Sequence, residues 1–161
     1  MIRSVKYEEL PVCLEVIHES FETVAKEFGL TPENCPTHTS FMPLEKLARH
    51  FDWGWRMFML LENEMPVGFY GLSKKENGSF ELHNLAVLPK FRHKGYGRQL
   101  LDDAKRRVKE QGGTALDIGI IEEHTVLKNW YMANGFVPTG MMHFPHLPFT
   151  AGYLTWNAET K

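Results

Sequence analysis

Apolar positions recur along this chain at two periods, and the switches between them mark out its elements. Leu10, Leu14, Ile17, Phe21, Val24 and Phe28 step by four and three, which predicts an amphipathic helix. Pro11 fits its first turn, where a missing N–H does no harm, and Gly29 ends it. A short β-like segment over residues 2–5 precedes this helix. Residues 31–43 carry Pro32, Pro36 and Pro43 and predict a loop, and residues 44–51 a second short helix. Three strands follow, over 55–61, 65–72 and 79–87. They are joined by turns at Glu62-Asn63-Glu64 and at Asn77-Gly78, and Pro89 stops the third.

The helical period then returns. Residues 95–111 form a predicted helix with Gly97, Leu101, Ala104 and Val108 as its inward stripe, closed by Gly112-Gly113. Residues 115–121 are mostly apolar, as in a strand covered on both faces. Thr125 is the expected N-cap of a helix running to about Asn134, with Gly135 closing it. Residues 136–138 and 152–157 read as final strands around a loop bearing Pro and His. The order β-α-α-β-β-β-α-β-α-β-β predicts an α/β fold, with helices packed on a mixed, mostly antiparallel sheet.

Composition narrows the classes. At 161 residues and 43% hydrophobic content, the chain suits a single domain over 1–161. Cys13 and Cys35 alone do not make a disulfide scaffold. Apolar runs such as residues 57–61 fall far short of the roughly 18 residues a membrane span needs. The N-terminal segment holds no apolar stretch of signal-peptide length, so a cytoplasmic location is expected. The net charge of −2 argues against nucleic-acid binding. Yet Lys90, Arg92, His93, Lys94, Arg98, Lys105, Arg106, Arg107 and Lys109 cluster in one segment. Local basic charge in a mildly acidic chain suggests one small polyanionic ligand.

The chemistry concentrates between Leu85 and Leu101. A buried strand, Leu85-Ala86-Val87-Leu88, leads through Pro89 into the loop Lys90-Phe91-Arg92-His93-Lys94-Gly95-Tyr96-Gly97, and that loop opens a helix. Gly95 and Gly97 let backbone N–H groups approach a ligand closely. The first turn of a helix offers unpaired donors and a favourable dipole for an anion. Arg92 and Lys94 add full charges, and the whole describes a pyrophosphate cradle. It is neither a P-loop, which needs Gly-Lys-Ser/Thr, nor a dinucleotide fingerprint, which needs a third glycine.

These residues resemble the GNAT superfamily of N-acetyltransferases. Arg92-His93-Lys94-Gly95-Tyr96-Gly97 matches its Q/R-x-x-G-x-G/A signature, and Leu85-Ala86-Val87-Leu88-Pro89 stands in its L-x-V-x-P register. Asn129-Trp130-Tyr131-Met132-Ala133-Asn134-Gly135-Phe136 is similar to its F-Y-x-x-x-G-F segment, with Trp130 where Phe is usual. The resemblance implies acetyl-CoA as co-substrate and no metal. Backbone groups of Leu85, Ala86 and Val87 would line the pantetheine like an added strand. The amides of His93, Lys94, Gly95, Tyr96, Gly97 and Arg98 would hold the pyrophosphate, with Arg92 beside them. His124 stands where the family often has Asn. Transfer to an amine needs a base for its proton and an acid for the leaving thiolate. Tyr131 is the expected acid. Glu81 and His83, alternating on one strand face, are the candidate bases, Glu81 first because its position resembles the family's glutamate. Glu122 and Glu123 are weaker alternatives.

The expected function is therefore transfer of an acetyl group to an amine of a small molecule or peptide. The alternative is a catalytically silent acyl-CoA-binding module on the same fold. No nucleic acid or membrane partner is expected, and a homodimer stays open. The acceptor would meet residues 29–44 and 139–152, where Phe41, Met42, Met141, Met142, Phe144 and Phe149 suggest partly apolar chemistry. Cys35 has no His/Asp partner in sequence, and His143 and His146 lack further metal ligands nearby. Trp53, Trp55, Trp130 and Trp156 read as core or rim residues.

Overall fold

The structure, a computed structural model, describes residues 1–159; the last two of the expected 1–161 span lie outside the described residues. Seven strands and four α-helices follow the predicted order. Hydrogen-bonded neighbours run β1-β2-β3-β4-β5-β7-β6 in a mixed sheet. The chain packs as two compact units, one of Met1–Ser73 with Leu82–Ala104, the other of Lys74–Glu81 with Lys105–Lys161.

In the first unit, β1 (Ile2–Ser4) pairs antiparallel with β2 (Arg56–Glu62), and β2 with β3 (Met65–Lys74). The β2–β3 turn places Asn63 at φ 50 and Glu64 at φ 66, the double positive φ that a two-residue hairpin needs. Side chains alternate across these strands, and both faces are buried. Met57, Met59 and Phe69 join Leu10, Cys13, Val16 and Ile17 of α1 (Leu10–Glu27) and Leu47 of α2 (Leu44–Asp52) in one core cluster. On the other face Phe58 stacks on Tyr70 at 5.0 Å, and the Tyr70 hydroxyl donates to Asp103 of α3 (Tyr96–Glu110). Gly68 lies so close to Leu100 that a Cβ there would sit 2.8 Å from its Cδ1. That double burial is why residues 57–61 read as one unbroken apolar run.

The α1 stripe differs from expectation. Cys13, Val16 and Ser20 are buried alongside Leu10 and Ile17, while Leu14, Phe21 and Val24 are only half-buried. The buried stripe thus includes Cys13 and Ser20, which a pattern read from large apolar residues passes over.

In the second unit β4 (Phe80–Val87) begins parallel to β5 (Ala115–Ile121), with Phe80 opposite Leu116 and Glu81 opposite Asp117. β5 pairs antiparallel with β7 (Thr150–Asn157), and β7 with β6 (Val137–His143). α4 spans Thr125–Ala133, and its N-cap is His124, not Thr125. β6 also runs five residues past its expected end. Every β6 residue is exposed, so this edge strand carries no alternation from which its length could be read.

The C-terminal end of α3 is fixed by Gly113, whose N–H bonds to Val108 O at 2.8 Å. A Cβ there would lie 2.7 Å from the Phe80 ring and from Val108 Cγ1. We expect Gly113→Ala to cost about 1–3 kcal/mol through overpacking, read as a lower urea midpoint with an unchanged slope.

Candidate active site

β4 ends in the segment the sequence singled out. Asn84 takes φ 53, unusual for a strand residue that is not glycine. Beyond it Ala86 is buried and Leu85 and Val87 are half-buried. Among the described residues, the β4–β5 pairing covers Phe80 and Glu81, so the backbone from Leu85 to Val87 lies past it. Leu88 N then bonds to Val67 O at 2.9 Å, and a 3-10 turn over Pro89–Phe91 redirects the chain. His93 at φ 63 and Gly95 at φ 85 complete the loop. The first backbone bond into α3 is Gln99 N to Gly95 O, 3.0 Å. The amides of Tyr96, Gly97 and Arg98 therefore precede the helical ladder, where the dipole favours an anion.

Arg92 behaves differently from expectation. Its Nε donates to Val87 O at 3.2 Å, one terminal nitrogen to Thr23 Oγ1 at 3.0 Å and the other to Ser20 O at 2.6 Å. Burial draws its pKa below the ordinary arginine value, which leaves it charged at neutral pH. Its fork is spent on tying the loop to α1 and β4. Lys90 and Lys94 are exposed, both set over the Phe91 ring at 5.6 and 5.4 Å. His93 and Arg98 are exposed, with Arg98 3.8 Å from Asp102. The Tyr96 hydroxyl donates to Glu62, and that bond raises its pKa.

The candidate bases lie in different surroundings. His83, half-buried in the first unit, has Nε2 2.7 Å from Ser73 Oγ and its ring stacked on Trp55. Glu81, in the second unit, stands opposite Asp117 on β5. Asp117 accepts from Lys75 at 2.9 Å and from Thr155 at 2.5 Å. Burial raises its pKa, but these bonds outweigh burial and hold it low. Lys75 also feels the Glu81 charge.

Tyr131 is buried within the second unit, edge-on to Trp130 at 4.9 Å and to Phe136 at 5.3 Å. Burial pushes its pKa well above the ordinary phenol value, so it carries its proton throughout the neutral range. His124 caps α4 through its backbone, its carbonyl accepting the Lys128 N–H at 3.0 Å.

Other candidates are engaged in packing. Glu122 is paired with Lys128 at 2.5 Å, and Glu123 accepts the Thr150 N–H through both oxygens. Cys35 is buried, and desolvation raises its pKa; Cys13 is pushed up to about 12 by the same cause. Met42 belongs to the core cluster, which corrects its expected place in an acceptor surface. Met141 and Met142 are exposed. Beside the 31–43 loop lies an open depression of about 350 Å³, lined by residues that include His18, Glu22, Lys26 and Phe41.

A strand that enters a positive-φ turn and opens a helix is the arrangement that the motifs described. The profile of the Acetyltransferase (GNAT) family matches residues 21–136. The chain belongs to that family. Over 92 residues it is 30% identical to an amino-acid acetyltransferase from Pseudomonas putida, a match covering 55% of this chain and 20% of that protein. The chain thus spans about a fifth of the length of the curated relatives it matches. Among solved structures, it is similar to the ribosomal-protein-S18-alanine N-acetyltransferase from Escherichia coli. The TM-score is 0.80 at 16% identity, covering 100% of this chain and 95% of that one. The PaiA N-acetyltransferase from Thermoplasma acidophilum, in complex with coenzyme A, gives 0.74 at 20% identity and 98% of each chain. At those identities the likeness is one of fold, and the mixed sheet and helices are those of a GNAT acetyltransferase.

Two features of this GNAT chain escaped the sequence reading, namely the anchoring of Arg92 and the ring contacts of His83. The second left a trace. The Asn77-Gly78 turn fixes the β3–β4 register, and a Cβ on Gly71 would lie 3.7 Å from His83 Cβ, so Ser73 falls beside that histidine on the same strand face. The Arg92 anchor generates a direct test. Arg92→Met keeps the apolar stem and removes three hydrogen bonds, so stability should fall by about 2 kcal/mol. Amide exchange should quicken from His93 to Gly97, while α1 keeps its protection.

Proposed function

We propose that this chain is an acetyl-CoA-dependent N-acetyltransferase acting on the amine of a small molecule or peptide. The observation that carries the reading is the run from Leu85 to Arg98. An exposed basic turn with two positive-φ residues delivers β4 backbone into the unpaired first turn of α3. Amides from His93 to Arg98 bind the pyrophosphate of the donor, Lys90 and Lys94 supply charge, and Leu85, Ala86 and Val87 present backbone groups to the pantetheine. Arg92 holds the turn in shape. His124, at the start of α4, is a further proposed contact to the donor. The proposal includes a single domain over 1–161, a cytoplasmic location, and no metal.

The reaction is direct transfer. The amine nitrogen forms a bond to the acetyl carbonyl carbon, the C–S bond breaks, and the nitrogen loses a proton to a base on β4, Glu81 or His83. Tyr131 gives its phenolic proton to the departing thiolate and regains one from solvent. Its raised pKa keeps the phenol protonated at neutral pH, so it is available to the sulfur as negative charge develops there. Peptide-like or amino-acid amines are the first acceptors to try, given the relatives' names. The depression beside residues 31–43 is the proposed place for the acceptor's side chain.

Calorimetry with acetyl-CoA and a thiol-release assay over a panel of primary amines test the reading. Binding without release for any amine would favour the silent module. Gly97→Glu sets a carboxylate on the second amide of α3, against the phosphates. Acetyl-CoA affinity should weaken about tenfold or more, on the order of 1.4 kcal/mol, in a folded protein. Unchanged affinity would sink the cradle. Tyr131→Phe keeps both edge-on ring contacts and removes the proton. We expect a kcat lower by about 10²-fold with acetyl-CoA affinity unchanged. A loss under about threefold would remove Tyr131 as the acid.

A further inference from the structure

Three flat rings form a column in the first unit. His50, on α2, stacks on Trp55 with centroids 3.8 Å apart and planes 13° apart. Trp55 stacks on His83 of β4 at 3.7 Å and 16°. Trp55 N also bonds to His50 O at 3.0 Å, which ties the middle ring to the helix that carries the first. At the far end His83 Nε2 is 2.7 Å from Ser73 Oγ on β3. Gly71 leaves room beside the histidine that a larger residue would fill.

Each contact restricts a different freedom. Stacking fixes the plane of the His83 imidazole, and Ser73 fixes which edge of that plane is used. His50 is buried, and its Nδ1 has no partner among the described residues. Burial, then Lys46 and Arg49, lower its pKa, so the column's buried end stays neutral. Ser73 and His83 are both half-buried, so solvent can reach the pair.

We propose that Ser73 and His83 form the proton-accepting pair of the acetyl transfer, with Trp55 as a positioning residue. The inference rests on the acetyltransferase reading and selects His83 over Glu81 within it. As the amine nitrogen bonds to the acetyl carbon, its proton passes to Ser73 Oγ while the serine's own proton passes to His83 Nε2. Ser73 is restored, His83 becomes an imidazolium, and it later releases the proton to solvent. The relay requires the tautomer with hydrogen on Nδ1 and a lone pair on Nε2. An imidazole also suits the task, since its ordinary pKa of about 6.5 lies nearer neutral pH than a carboxylate's of about 4.3. The titratable and charged groups on the elements packed against His83 are His50, Lys46 and Arg49 on α2, behind Trp55, and Glu81 two residues back on β4, while Arg56 lies over the Phe58 ring on the opposite sheet face.

Two measurements on the full chain test the pair. In ¹⁵N-labelled protein, the His83 ring should show an unprotonated Nε2 above its titration and should titrate within roughly pH 5–8. A protonated Nε2 in the neutral ring, or no titration in that range, overturns the relay whatever the acceptor. The second uses acetyl-CoA with the best amine from a panel of glycinamide, spermidine and an alanine-initiated peptide. Ser73→Ala and His83→Gln should each lower kcat by about tenfold or more with acetyl-CoA affinity unchanged by calorimetry. Trp55→Phe, which keeps a smaller ring in the stack, should move the acid limb of the kcat/KM profile by about half a pH unit. Full activity in both Ser73→Ala and His83→Gln overturns the pair and leaves the acetyltransferase reading intact. Loss of acetyl-CoA binding in the unaltered chain overturns that reading instead, and the tautomer then still judges the pair.

Discussion

One guanidinium holds the donor loop together. Arg92 reaches back to Val87 O at the end of β4 and across to Ser20 O and Thr23 Oγ1 on α1. It thereby fixes a strand terminus and a helix flank from one residue in the turn between β4 and α3. The Ser20 carbonyl also accepts from Thr23 Oγ1 at 3.0 Å, so the two α1 groups that meet the guanidinium are themselves joined. The left-handed turns at His93 and Gly95 follow at once. A loop with two such residues would sample many shapes unless something stiff defined its entry. A planar, five-donor fork is stiffer than a lysine in that role.

The same packing logic explains how much of the fold was legible. The β2 and β3 strands are covered on both faces, and their apolar runs gave bounds within a residue or two. α3 was read through Leu101, Ala104 and Val108, all fully buried. β5 matched its expected span. The misreadings fall where pattern and burial separate. β6 is an edge strand exposed along its length, so nothing in its alternation announced how far past Pro138 it runs. α1 buries Cys13 and Ser20, small residues that a pattern of large apolar side chains undervalues.

The site was legible as motif and opaque as contact. Glycine spacing and basic charge pointed to the anion loop, because those properties belong to neighbouring residues. The inward turn of Arg92 depends on Ser20, about seventy positions away. The ring column joins residues from α2, the entry to β2, and β4. A sequence shows such a set only after the strand register is known, and the Asn77-Gly78 turn is the one local feature that supplies it. Glu122 and Glu123 illustrate the converse. Both looked like spare carboxylates near a strand end, and both are committed to Lys128 and to the Thr150 backbone.

The exposed outer strand β6 bears on colloidal behaviour. Val137, Met141 and Met142 are all more than half exposed, and a bare apolar edge is a template on which further chains could add by backbone pairing. Pro138 offers no N–H, and the register shift between Pro138 and Gly140 breaks the regular spacing of donors. An incoming strand could match the edge for only a few residues before meeting the irregularity. The proline at which the expected strand ended therefore also acts as its guard against fibrillar growth.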